Sequence, residues 1–196
     1  MKMPLAAIAV LAMPFCAIAA QQPPAAPVTD PITAALRGRT MSLQRNLAQA
    51  FDSIPESKFG YRPTPAQLTI GYIAQHLAND NYLFCERFGD LKSARAAADT
   101  TTADSVKAKW PKDQLVAKLK ESFSYCENAF AQLNDAKLAE PVTLTFNGQS
   151  RASTRAAMAI GHALDMADHY SQIANYMRLN NILPPTALPR PRPAGQ

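Results

Sequence analysis

The sequence predicts an all-α protein, a four-helix bundle with a long crossover between its second and third helices. Three observations carry that expectation. Four stretches, at about 32–53, 64–88, 111–133 and 154–181, combine helix-forming composition with apolar residues on one side. Strand-like alternation is confined to VTLTF at 142–146. All three histidines, His76, His162 and His169, fall in the second and fourth of the helical stretches.

In chain order, residues 1–19 read as a secretory signal, with an early Lys2, an apolar run from Leu5 to Ala20, and small Ala17 and Ala19 before the cut. The run is short for a membrane span, so no stable membrane anchor is expected. Cys16 follows bulky Pro14 and Phe15 rather than the small residues that precede a lipid-modified cysteine. Residues 20–30 form a Pro/Ala linker, and the bundle is expected to occupy 31–183. Asp30-Pro31 supplies a cap followed by a proline at the first helical position. Leu36, Leu43, Leu47 and Phe51 then share one side, with Gly38 as a weak point.

After a turn-rich connector at 54–63, Thr64-Pro65 starts the second helix by the same logic and Gly89 stops it. Ile73, Leu77 and Phe84 point inward. Residues 92–109 are polar and alanine-rich, a crossover with some helix in it. Pro111 opens a third helix whose Leu115, Leu119, Phe123, Cys126, Phe130 and Leu133 make one apolar stripe. VTLTF before Asn147-Gly148 reads as a short strand or as an extended loop with a turn. Ser153 or Thr154 opens the last helix, and residues 184–196 are a proline-rich tail, expected to be extended or disordered.

Removing the signal from the 196 residues leaves roughly 175, enough for one domain with a sizeable core. The charge is +5 from 20 basic and 15 acidic residues, scattered rather than gathered into a basic run with interleaved aromatics. Nucleic-acid binding lacks its footprint. Nor is there a glycine-rich phosphate loop, a GxSxG elbow or a CxxC pair. Of the three cysteines, Cys16 leaves with the signal. The remaining pair, Cys85 and Cys126, is expected to form a disulfide between the second and third helices in an oxidising compartment, periplasmic or secreted.

The functional signal lies in GHALDMADHYSQIANYMRLNN. At 100° per residue, His162, Asp165 and His169 fall within an arc of about 60° on one helix face. Met166, Ile173 and Met177 form an apolar stripe beside them. If the second and fourth helices are neighbours, His76 joins Asp165 and His169 as a set of divalent-metal ligands. Asp165 and His169, four apart, aim at one point from successive turns. Two imidazoles and one carboxylate leave a coordination position open, which suits zinc with a bound water and equally non-haem iron. His162 can replace Asp165 in that set or orient a ligand from behind, and Asp80, one turn from His76, is open to the same two roles. Asp168 is expected to be solvated. The alternative is a polar cluster at the bundle edge, hydrogen-bonded to itself or to water.

AQHLANDNYLFC, LKESFSYC and DMADHYSQIANYMRLNNILPP, with the lead-in FGYRPTPAQLTIGYIAQH, resemble the DinB-like superfamily, nearest to its exported bacterial branch. The resemblance spans about residues 32–185. It implies the four-helix bundle with the long crossover, and a divalent metal, zinc or nickel among those used. Family members hold it with one histidine of the second helix and two of the fourth, four residues apart. His76 and His169 match the first and last of these positions. The middle one falls on Asp165, a departure that bears on affinity and metal choice, whereas His162 matches no family ligand position. Some relatives are thiol-dependent transferases or isomerases, and many have no assigned activity.

The expectation is therefore a secreted, divalent-metal-binding protein with catalysis left open: if it is an enzyme, it is a metal-dependent hydrolase or transferase acting on a small molecule. The alternative is a non-catalytic exported bundle that binds a partner or small molecule. A homodimer is the default assembly, dimers being the commonest.

Overall fold

The computed structural model describes residues 27–146 and 148–189. The expected signal peptide, most of the linker and the end of the proline-rich tail lie outside them. Four long helices form the body: α1 (Pro31–Ser53), α2 (Ile70–Phe88), α5 (Lys112–Phe130) and α7 (Arg155–Leu179). Short α3 (Ala97–Thr101) and α4 (Asp104–Lys107) lie in the crossover, and α6 (Asp135–Leu138) precedes a hairpin. The expected bundle and its crossover between the second and third long helices are both present.

The apolar stripes read from the sequence meet in two clusters. One joins Leu47 and Phe51 of α1, Ile73 and Leu77 of α2, Leu115 and Leu119 of α5, and Met166 and Ile173 of α7. The other joins Cys85, Phe88, Cys126, Phe130, Met158 and Ala159. Each fully buried Leu, Ile or Phe contributes roughly 1.5–3 kcal/mol relative to exposure, so burial of these stripes holds the four helices together. Lys107 is buried in the crossover, its Nζ donating to Asn79 Oδ1 and to the Asp99 carbonyl, each at 3.1 Å, and pairing with Asp104 at 3.1 Å. That network ties α4 to α2.

Both expected caps are corrected. Asp30 makes no side-chain cap to α1 and sits in the left-handed region at φ 55°. Asp135 does that work from α6, its carboxylate accepting from the Ile32 and Thr33 backbone N–H at 3.1 and 2.7 Å. Asp30 Oδ1 in turn accepts from the Asp135 N–H at 2.9 Å. The second helix does not begin at Thr64-Pro65. It begins at Ile70, capped by Thr69, whose hydroxyl accepts from the Tyr72 N–H at 3.1 Å. The carbonyls of Tyr61 and Phe59 accept from the Ile70 and Gly71 N–H at 3.1 and 2.8 Å, so the connector folds over the helix start instead of joining it. Pro63 and Pro65 keep their preceding residues out of helical conformation. Gly71 is needed at that start, because a Cβ there would collide with the Ala108 carbonyl.

VTLTF is a strand, β1 (Pro141–Phe146), paired antiparallel with β2 (Gln149–Thr154), with Val142 opposite Ser153 and Leu144 opposite Arg151. Val142 and Leu144 pack on the second core cluster. Gly148 turns the hairpin at φ 76°. Thr154 then caps α7, its hydroxyl accepting from the Ala157 N–H at 3.2 Å. Arg155 fixes that end of the bundle, donating to Glu140 at 2.9 Å, Asp90 at 2.7 Å and the Phe88 carbonyl at 2.8 Å. Among the described residues no helix is long and apolar enough to cross a membrane.

Candidate metal centre

α2 and α7 pack against each other, and His76 meets His169 edge-on, with ring centroids 4.8 Å apart at 85°. Asp165, one turn before His169 on α7, brings Oδ1 to 3.5 Å from His169 Nε2. One ligating atom from each of His76, Asp165 and His169 lies within 4.8 Å of the others. The predicted trio is therefore assembled, by helical spacing on α7 and by helix–helix packing across to α2. It sits at the bundle edge: His169 is buried, whereas His76 and Asp165 are half-buried.

These residues fit a divalent cation on two further counts. Asp165 Oδ2 and His169 Nδ1 are buried and have no hydrogen-bond partner within the protein. Such orphaned polar atoms are costly unless something binds them. The donors are two nitrogens and a carboxylate oxygen, which suits zinc, nickel or iron.

Asp80 Oδ2 lies 3.3 Å from His76 Nε2, one turn along α2. Burial raises the Asp80 carboxyl above its ordinary value; His76 works against that, and the Asp165 charge adds to it. Burial also works to lower the His169 imidazole, but the hydrogen bond and charge of Asp165 outweigh it and raise its pKa above 6.5. Asp168 is exposed, as expected, and accepts from Gln172 Nε2 at 2.8 Å.

His162 does not belong to this cluster. The helical projection places it near His169 in azimuth, but the two are about 10 Å apart along the axis at 1.5 Å per residue. Its imidazole is fully buried beside the disulfide, 3.8 Å from Cys85 Sγ, among the rings of Phe84, Phe88 and Phe130. Nε2–H donates to Asn81 Oδ1 at 2.9 Å, Asn81 Nδ2 to Ser122 Oγ at 2.8 Å, and Ser122 Oγ to the Leu119 carbonyl at 2.7 Å. Burial depresses its pKa to about 4, so it is neutral near pH 7. His162, expected to replace Asp165 or to orient a ligand from behind, instead faces another level of the bundle, beside Cys85 and Asn81.

Cys85 and Cys126 form the predicted disulfide between α2 and α5, with Cα atoms 5.2 Å apart. The sequence reading missed Asn81 and Ser122, the polar partners that make burial of His162 tolerable. It also missed Tyr72, whose ring stacks against His76 at 6.2 Å between centroids. The i, i+4 spacing of Tyr72, His76 and Asp80 was the available signal. Tyr72 also lines a cavity of about 730 Å³, with Phe59, Arg62, Lys109 and Trp110 among its walls.

A family model described as the DinB superfamily matches residues 40–173. Among solved structures, a DinB-like protein from Bacillus cereus superposes with a TM-score of 0.60 at 13% identity, over 78% of this chain and 95% of that one. A conserved protein from Enterococcus faecalis gives 0.55 at 15% identity, over 76% and 96%. A histidine-to-alanine variant of the mycothiol-dependent maleylpyruvate isomerase gives 0.57 at 11% identity, with 72% of this chain covering 60% of that one. At such identities the superpositions speak for the fold. No curated protein matches the chain.

Proposed function

The chain belongs to the DinB superfamily, and from that premise we propose that it is an exported, divalent-metal-binding protein whose ligands are His76, Asp165 and His169. The observation that carries the reading is the convergence of those three side chains, with one buried carboxylate oxygen of Asp165 and one buried ring nitrogen of His169 left unpartnered. We take zinc or nickel as the resident metal, iron being compatible with the same donors. Export is supported by the leader-like N-terminus and by the buried disulfide, a bond that persists in oxidising compartments.

The reaction class proposed is metal-assisted hydrolysis or group transfer on a small molecule. A metal bound there would polarise a substrate oxygen or lower the pKa of a bound nucleophile. The protein's own groups do the rest. Asp165 sets the His169 ring through its 3.5 Å contact, and Asp80 holds the His76 ring through Nε2. Asp80, 3.3 Å from His76 Nε2, is also the carboxyl we propose to exchange a proton beside the site. Tyr72 stacks on His76 and also lines the aromatic cavity, whose walls include none of the three ligands. One structural neighbour is a thiol-dependent isomerase, which makes a thiol one class of nucleophile to assay.

Metal analysis with a competing chelator tests the reading. One equivalent of metal per chain, removed by the chelator with loss of thermal stability, is expected. A metal-free chain of unchanged stability favours the non-catalytic bundle.

A further inference from the structure

The most unusual chemistry outside the metal centre is the fully buried group around the disulfide. Cys85 comes from α2, Cys126 from α5 and His162 from α7, and one ligating atom of each lies within 4.8 Å of the others. All three are 0% exposed. A disulfide in an apolar core needs no imidazole beside it, and burying one is costly unless its polar atoms are satisfied. Here Asn81, also 0% exposed, turns Oδ1 toward His162 Nε2 at 2.9 Å, and Ser122 holds that amide from its other end. The Asn81 backbone carbonyl lies 3.3 Å from Cys126 Sγ. Two sulfurs and a neutral imidazole thus converge between three helices, with the Asn81 amide oxygen hydrogen-bonded to that imidazole.

We propose that reduction of the Cys85–Cys126 bond converts this cluster into a second metal site, specific for a thiophilic divalent cation such as zinc, with Cys85, Cys126 and His162 as ligands and Asn81 Oδ1 as the fourth donor. The charge balance selects the cation. Two thiolates and Zn²⁺ make a neutral unit that an apolar core can enclose, whereas Cu⁺ would leave a net negative charge buried. The reductant is a small thiol or dithiol. It gives two electrons and two protons to the disulfide, leaving two cysteine thiols and its own disulfide. Zinc then displaces both thiol protons to solvent, and the His162 proton moves from Nε2 to Nδ1, a buried nitrogen without a partner. A two-electron oxidant such as a disulfide reverses the sequence: it re-forms the Cys85–Cys126 bond and expels the cation. The site is independent of the His76–Asp165–His169 assignment.

The test compares oxidised and reduced chains from which the leader, and Cys16 with it, has been removed, so that Cys85 and Cys126 are the only cysteines. After anaerobic reduction with a phosphine, Co²⁺ titration should reveal one more bound equivalent than in the oxidised chain. A thiolate-to-cobalt charge-transfer band should accompany it, and Cys85→Ser should abolish that band. His162→Ala should weaken the reduced-state binding about tenfold or more. Zinc-edge X-ray absorption on the reduced chain without further substitution should count two sulfur neighbours, which keeps the test decisive if a variant fails to fold. Equal stoichiometry in both redox states, a band indifferent to His162→Ala in a folded variant, or loss of helical structure on reduction each overturns the proposal.

Discussion

The disulfide makes the sharpest stability prediction. Reducing it in the wild-type chain removes no heavy atom from the core and chiefly lifts the constraint on the unfolded state, the two sulfurs moving apart to van der Waals contact. The bridge spans a sequence separation of 41. The chain-entropy relation for a loop of that size gives about 4 kcal/mol at 25 °C. For a domain of this size that corresponds to a fall of about 8–16 °C in Tm. The Cys85→Ala/Cys126→Ala double variant should lose more, by about 1 kcal/mol or more, because two fully buried sulfur atoms also leave space behind. Urea unfolding of the oxidised, reduced and double-variant chains measures both steps, with a chelator present so that no metal contributes. A reduced chain within about 1 kcal/mol of the oxidised one would refute the loop argument. Two thiols titrating at Cys85 and Cys126 in denatured protein purified without reductant would refute the bridge itself.

Three further predictions follow from particular contacts. His162 titrates near 6.5 when unfolded and at about 4 when folded, so the unfolded state binds the extra proton as pH falls. Stability is undiminished above pH 6.5 and should drop by roughly 3 kcal/mol on reaching pH 4; urea midpoints of the wild type minus those of His162→Gln isolate that share, and parallel pH profiles would contradict it. Thr69→Ala should cost about 1 kcal/mol through loss of the α2 cap, whereas Thr64→Ala should leave the urea midpoint unchanged. Asp165→His should retain one metal equivalent in a chelator competition, since it restores a nitrogen donor at the same helical position, whereas Asp165→Ala should not.

Much of this was legible because helices repeat. The stripes Leu47–Phe51, Leu115–Leu119–Phe123–Cys126 and Met166–Ile173 are spaced by turns, and they are the residues that became buried. The same periodicity placed Asp165 and His169 on one face. What periodicity omits is height along the axis, and that omission misplaced His162, which shares an azimuth with His169 but lies at the level of Asn81 and Cys85. Local cap rules failed where a distant group competed. Asp135 took the α1 cap, and the Phe59 and Tyr61 carbonyls took the N–H groups of Gly71 and Ile70, so that α2 begins there and not at Thr64-Pro65. The strand Gln149–Thr154 carries no alternating apolar pattern and is almost wholly exposed, so only its pairing with β1 reveals it.

The central claim is that His76, Asp165 and His169 hold one divalent metal, and it is tested most directly by a chelator-competition titration of zinc into the oxidised chain and its single-alanine variants. The wild type and His162→Ala should each bind one equivalent with similar affinity. His76→Ala and His169→Ala should fall by about tenfold or more. A wild type that binds no metal, or a folded His162→Ala that loses as much as His169→Ala, would contradict the account.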